Sequence, residues 1–122
     1  MAGRRPNSLR LPKNRHLKQN REFARVRAEG KRIAKGCLAA NWIELPQDKP
    51  SRVGVITSRK IGGAVVRSRA RRLLREAFRL HQADLLRPVD LVLIARASIA
   101  GRSFAEVERD YLAIMKQAGA IA

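Results

Sequence analysis

Apolar side chains recur at helical spacing in three stretches of this chain. The clearest is 64–82, where they return every three or four residues and arginines fill most positions between them. A shorter stretch, 17–29, has similar spacing, and Asn20 is placed to cap its start. In the third, Ser103 and Glu106 have the spacing of a capping box before a strongly periodic segment. These stretches are predicted to be helices.

Extended segments are predicted between the helices. β-branched, aromatic and small residues favour strands at 33–45 and 52–58, and the prolines between them predict a hairpin. The segment 90–96 is almost continuously apolar, which is typical of a central strand covered on both faces. The order helix, strand, strand, helix, strand, helix indicates an α/β fold, a single-domain two-layer sandwich. If the strands flanking the second helix are parallel, the general rule gives a right-handed crossover.

The first residues differ from the rest. Residues 1–16 contain two prolines and five Lys or Arg side chains but few apolar ones, so burial cannot repay the entropy lost on ordering. We predict a flexible basic N-terminal arm at 1–16 and one domain at 17–122. An organelle transit peptide is an alternative for this arginine-rich start, which lacks the apolar core of a secretory signal.

Charge narrows the possible partners. The 122 residues include 27 Lys and Arg against 10 Asp and Glu, a formal net charge of +17. Crowding like charges in one domain costs stability, which favours a nucleic-acid partner over an unliganded basic surface or an acidic membrane. No apolar run reaches the roughly 18 residues needed to cross a bilayer.

Residues suited to metal binding or catalysis are few. Cys37 is the single cysteine, and His16 and His81 are the only histidines, so no zinc site is predicted and Cys37 is expected to be a small buried side chain. The carboxylates are scattered, and those of the last helix do not share one side. A binding protein without catalytic residues of its own is therefore expected.

The loop before the second helix is a candidate phosphate site. Ser58, Arg59 and Lys60 precede Gly62 and Gly63, so two cations and the free amides of a helix start could hold an anion. The alternative is a tight turn beside ordinary surface charge.

The arginines of the second helix extend this candidate site. Six of them, between positions 67 and 79, face one carboxylate, Glu76, so ion pairs within the helix cannot neutralise them. Guanidinium groups suit phosphates and guanine edges, which favours RNA or DNA as the ligand. In the first helix, Phe23 lies among arginines and could stack on a base or belong to the core. Trp42, on a strand, is expected in the core or on the sheet surface rather than as a stacking platform.

The segment RVGVITSRKIGGAVVRSRARRLLREAF, residues 52–78, resembles the signature of the protein subunit of bacterial ribonuclease P. Residues 17–30 and 90–97 are similar to the first helix and third strand of that family. The matching positions of the signature are Val53, Gly54, Ser58, Arg59, Lys60, Gly62, Ala64, Val65, Arg67, Arg69, Arg72, Leu73, Arg75, Ala77 and Phe78.

Three positions depart from the family pattern. Ser68 and Gly63 stand where the family usually has asparagine, and Arg27 stands where an aromatic often follows the position of Phe23 by one turn. A serine keeps a hydroxyl but lacks the bidentate amide, so a contact at Ser68 is expected to be weaker or carried by water.

The resemblance implies a ribonucleoprotein endonuclease in which a catalytic RNA, with Mg²⁺, removes the 5′ leader from precursor tRNA and the protein assists. It implies a cytoplasmic, monomeric protein in a 1:1 complex with that RNA, and a ribosomal protein S5 domain 2-like fold with a left-handed β-α-β crossover, against the general rule. Phe23 and Arg27 would line the leader-binding cleft. The residues that would bind the RNA subunit are Ser58, Arg59, Lys60, Arg67, Ser68, Arg69, Arg71, Arg72 and Arg75.

Two other classes of function stay open from the residues alone. Charge and fold class also suit a structural RNA-binding protein of a ribosome-like particle. DNA binding by the arginine helix is less favoured, because no helix-turn-helix partner precedes it.

Overall fold

The structure, a computed structural model, describes residues 11–122. It contains three helices and one four-stranded sheet. In chain order the elements are α1 (Asn20–Glu29), β1 (Lys31–Lys35), β2 (Leu38–Glu44), β3 (Arg52–Ile56), α2 (Ala64–His81), β4 (Val89–Ala95) and α3 (Phe104–Gln117). The predicted α/β class is confirmed.

The predicted first strand, 33–45, is two strands. β1 and β2 form an antiparallel hairpin, and the turn between them includes Gly36 at a φ of 63°. That left-handed conformation is easily reached only by glycine. The prediction missed the turn because a single glycine interrupts an otherwise continuous strand-like composition.

The predicted hairpin between the second and third segments is wrong. The sheet order is β1-β2-β4-β3, so β4 separates β2 from β3. β4 pairs antiparallel with β2 and parallel with β3, which confirms its predicted central place. Because β3 and β4 are parallel neighbours, α2 forms the crossover between them; the left hand of that crossover stays a prediction.

Helices cover both faces of the sheet. The larger cluster of buried side chains joins alternate residues of β2 and β4 to α2 and α3, and includes Leu91, Phe78, Tyr111 and Trp42. The other face carries a smaller cluster, in which Val26 of α1 packs with Val92 and Ile94 of β4. The sheet forms one layer of the predicted sandwich, and α2 and α3 form the other. The shorter α1 lies on the opposite face of the sheet.

Helix ends follow the expected chemistry with one exception. The capping box of Ser103 and Glu106 is confirmed. α1 instead begins after Gln19, whose backbone N–H donates to Glu22 Oε1 (3.1 Å), so the assignment of Asn20 as cap is wrong by one residue. Glutamine is a less usual N-cap than asparagine, which is why the residue type misled the prediction.

Residues 11, 15 and 16 of the predicted arm contact the folded domain in this structure. His16 forms an isolated parallel bridge with Val53, and Arg15 Nε donates to the carbonyl oxygen of Ser51 (2.5 Å). The partly buried Leu11 packs against the larger cluster. Residues 1–10 of the predicted arm lie outside the described residues.

Candidate nucleic-acid interface

The loop between β3 and α2 presents its polar residues to solvent. Ser58, Arg59 and Lys60 are all exposed, and a 3₁₀ turn, Arg59–Ile61, leads into the helix. Gly62 has a φ of 145°, and a Cβ there would lie 2.9 Å from Val66, so the turn requires glycine. Gly63 has an ordinary φ of −75° and open space around it, so the asparagine usual in the family would fit there.

The start of α2 is open to an anion. Gly63 provides no side-chain cap, and the first turn of the helix has no acidic residue. The first amides of an α-helix have no partner within the helix and carry partial positive charge. Arg67 Nη1 donates to the carbonyl oxygen of Gly62 (3.1 Å), which holds this arginine against the loop. Cations and free amides therefore lie together at the helix start.

The outer face of α2 is cationic. Ser68, Arg72 and Arg75 are exposed, and a shallow groove of about 340 Å³ runs beside them, lined also by Arg71 and Leu11. Helical spacing places Arg69 next to Glu76, at the edge of this groove farthest from Arg71. Ser68, Arg71, Arg72 and Arg75 thus line one groove, with Arg69 at its margin.

Carboxylates neutralise little of this surface. Within residues 11–122, the ion pair on α2 joins Glu76 to Arg79 at 2.6 Å, and none of the five arginines from position 67 to 75 has a carboxylate partner. Partial burial and the charge of the neighbouring Arg71 lower the pKa of Arg75. A guanidinium stays protonated at physiological pH, so the crowding makes a bound phosphate favourable.

A second groove lies between α1 and β3. Its volume is about 470 Å³, and Phe23, Arg27, Ile56, Thr57 and Arg71 are among its lining residues. Phe23 is half-buried and Arg27 exposed. The two residues predicted for a cleft are therefore one turn apart on the same wall of one groove.

Phe23 serves both the core and the groove. It packs against the smaller cluster with Leu17 and Val26, and its ring lies directly on the backbone of Gly54 in β3. A Cβ on Gly54 would be 2.5 Å from Cε2 and Cζ of the ring. The ring is therefore fixed by burial on one side while it lines a groove on the other. Phe23 thus packs with the core, as one of the two alternatives predicted, and its stacking on a base stays a prediction.

Arg71 connects the two grooves. It lines both of them, and its Nη1 donates to Thr57 Oγ1 at the end of β3 (2.8 Å). This hydrogen bond restricts the guanidinium to the junction of α1, β3 and α2. The candidate interface is therefore one continuous cationic surface.

Sequence reasoning missed an ion network that fixes α1 to the sheet. The Arg52 guanidinium donates from Nε to Asp90 Oδ1 (2.9 Å), from Nη2 to Asp90 Oδ2 (2.8 Å) and from Nη1 to Glu22 Oε2 (2.8 Å). Asp90 is only 2% exposed. Hydrogen bonds from the amides of Gln19 and Lys18, and then from Arg52, lower the pKa of Glu22 to about 2. The spacing of Gln19 and Glu22 was the signal in the sequence for part of this network.

Other predicted features are placed as follows. Cys37 is fully buried, as predicted, and burial followed by the nearby Asp110 raises the pKa of its thiol to about 11. Trp42 is buried in the larger cluster. Among residues 11–122, no three His, Cys, Asp or Glu side chains come together to hold a metal ion, and no helix has the length and apolarity to span a membrane.

Comparison with known proteins assigns the family. The sequence model of the Ribonuclease P family matches residues 11–119. The chain is 41% identical over 112 residues to the ribonuclease P protein component of Syntrophomonas wolfei, covering 92% of this chain and 93% of that protein.

Solved structures agree in fold. The ribonuclease P protein of Staphylococcus aureus superimposes with a TM-score of 0.80 at 23% identity, covering 88% of this chain and 98% of that one. The protein from Thermotoga maritima gives a TM-score of 0.74 at 26% identity, covering 84% and 96%. The match over most of both the sequence and the fold shows that the chain belongs to the family of bacterial ribonuclease P protein components.

Proposed function

We propose that this protein binds the catalytic RNA of ribonuclease P through α2 and its preceding loop, and holds the single-stranded 5′ leader of precursor tRNA in the groove between α1 and β3. The observation that carries the proposal is the continuous surface on which five arginines of α2 have no carboxylate partner among residues 11–122. Family membership supports the identity of the RNA.

The α2 surface suits a folded RNA. Its guanidinium groups project from a helix whose buried residues, such as Leu74 and Phe78, are part of the core, so the charges keep fixed spacing. Each phosphate neutralised releases condensed counterions and adds close to one unit to the salt dependence of binding. Guanidinium groups held at fixed spacing on a rigid helix favour an RNA whose phosphates are also held in place by its fold.

The α1–β3 groove suits an unpaired strand. Phe23 offers an aromatic surface for stacking, and Arg27 and Arg71 offer cations for the backbone. The groove has one aromatic residue where many family members have two, so we propose that Arg27 replaces stacking with contacts to phosphate or to a base edge.

Hydrolysis is proposed to belong to the RNA, with Mg²⁺ bound there. The role of the protein is then to raise affinity for the precursor and to offset repulsion between two polyanions, an effect that becomes larger as Mg²⁺ is withdrawn. We propose one protein per RNA.

Reconstitution tests the proposal. Adding the protein to its cognate ribonuclease P RNA at low Mg²⁺ should stimulate cleavage of precursor tRNA at the 5′ end of the mature tRNA. No stimulation across a Mg²⁺ titration, together with sedimentation of the tagged protein with ribosomal subunits, would instead favour a structural RNA-binding protein.

A further inference from the structure

A third cavity lies on the opposite flank of α1 from the α1–β3 groove, the groove proposed to hold the leader. Its volume is about 500 Å³, within the roughly 300–1,000 Å³ of pockets that hold small ligands. It is formed by α1 and the segment before it, the loop between β2 and β3, the first residue of β3, and β4. The lining residues that matter here are Asn14, Arg25, Pro46, Lys49, Pro50 and Arg52.

The mouth of this cavity is cationic. Lys49 has no carboxylate partner among the described residues, and Arg25 makes only a long ion pair, 3.6 Å, with the exposed Glu29. An adjoining smaller pocket adds Arg21. Asp90, which lines the cavity, and Glu22 beside it are both bound by Arg52, whose one positive charge leaves one negative charge against those of Arg21, Arg25 and Lys49. The free charge is therefore positive, and an anionic ligand fits it.

Arg52 forms a flat, immobile part of the cavity wall. Three of its nitrogens are held by two carboxylates at 2.8 to 2.9 Å, yet the side chain is 30% exposed. When the edge of a guanidinium is occupied in this way, its planar faces remain available for stacking. Nucleobases stack on arginine planes in single-stranded RNA recognition. Pro46 and Pro50 add apolar surface.

We propose that this cavity is a second nucleotide site, in which a base of unpaired RNA stacks on the Arg52 guanidinium while Arg25 and Lys49 bind its phosphate. The site is separate from the leader groove, because it lies on the other flank of α1 and shares none of its lining residues. The source of the nucleotide, either a distal part of the leader or the catalytic RNA, rests on the proposed function; the binding chemistry does not.

Solution NMR with adenosine 5′-monophosphate tests the stacking. The Arg52 Nε–H, hydrogen-bonded to Asp90, gives a resonance that a stacked base shifts upfield through its ring current. The expected result is a saturable upfield shift that inorganic phosphate at equal ionic strength does not produce. The proposal would be overturned if inorganic phosphate gave an equal shift. It would also be overturned if this resonance did not shift while other protein resonances showed saturable binding of the monophosphate.

Paired variants locate the source. Arg25→Ala/Lys49→Ala should weaken binding of the monophosphate about tenfold, the scale of one lost hydrogen bond to a charged group, whereas Lys31→Ala/Lys116→Ala removes the same charge elsewhere and should not. In the holoenzyme, a loss seen only with long leaders assigns the site to the leader. A loss that is independent of leader length assigns it to the catalytic RNA. If neither assay shows a loss, the proposed site is contradicted, even when the protein stimulates cleavage.

Discussion

The contact between Phe23 and Gly54 fixes the wall of the α1–β3 groove, and it can be tested by adding one methyl group. In Gly54→Ala, the new Cβ would lie 2.5 Å from two ring carbons of Phe23 and 3.2 Å from Leu17 Cβ. Comfortable carbon contacts are near 3.5 Å, so the ring must retreat by about 1 Å.

The free energy of unfolding should fall as a result. Overpacking of this size costs about 1–3 kcal/mol, and the reduced freedom of the unfolded chain on replacing glycine offsets about 0.4–1 kcal/mol of that. The net expectation for Gly54→Ala is a loss of about 1.3 kcal/mol, within a span of roughly 0–2.6 kcal/mol. Because the ring moves toward the groove, binding of a leader oligonucleotide should weaken as well.

Urea unfolding of a double-mutant cycle isolates the contact. Phe23→Leu removes the ring atoms that clash, so Gly54→Ala should cost less in the Phe23→Leu background, with a coupling of about 1 kcal/mol or more. Gly63→Ala is the matched control, since a Cβ there meets nothing within 4 Å, and its coupling to Phe23→Leu should be zero. Additive effects of Gly54→Ala and Phe23→Leu would refute the packing argument.

Three further outcomes are expected. The pKa of Glu22 is lowered to about 2, so the stability that this carboxylate contributes is complete above about pH 4.5 and is lost as the pH falls toward 2. Glu22→Gln should lower the free energy of unfolding at pH 7 by about 1–2 kcal/mol, a value discounted because the carboxylate is partly exposed. Unfolding experiments on this variant should also show a flatter pH dependence. Arg72→Ala/Arg75→Ala should reduce the slope of log binding constant against log salt concentration for RNA by about 1.4–1.8, whereas the control Lys116→Ala on α3 should leave that slope unchanged. Equal slopes for the wild-type protein and both variants would contradict the α2 interface. Ser68→Asn restores a bidentate amide and should tighten binding to the catalytic RNA in filter-binding titrations, and unchanged affinity would show that this position makes no such contact.

Local patterns predicted the helices well and the sheet less well. The alternation of apolar and arginine positions marked α2 to within a residue, because its two faces meet different surroundings: the core and solvent. Strand pairing depends on partners distant in sequence, and nothing local distinguishes β2 pairing with β3 from β2 pairing with β4. The split between β1 and β2 depended on one glycine, Gly36, at a positive φ.

The candidate site shows the same division. Charge counting and the family resemblance identified the cations of the loop and α2, and the structure brings them to one surface. Two features that position them were invisible in the pattern. Gly54 has a role only because Phe23 approaches it, and Arg52 joins carboxylates 30 and 38 positions away in the chain.

The central claim is that two parts of one cationic surface bind two different RNAs. It is tested most directly by measuring, for each variant, the affinity for the catalytic RNA and the gain in precursor affinity when a leader is added. Arg72→Ala/Arg75→Ala should weaken binding of the catalytic RNA and leave the gain from the leader intact. Phe23→Leu/Arg27→Ala should do the reverse. If both variants weaken the same interaction to the same extent, the assignment of separate sites to α2 and to the α1–β3 groove is wrong.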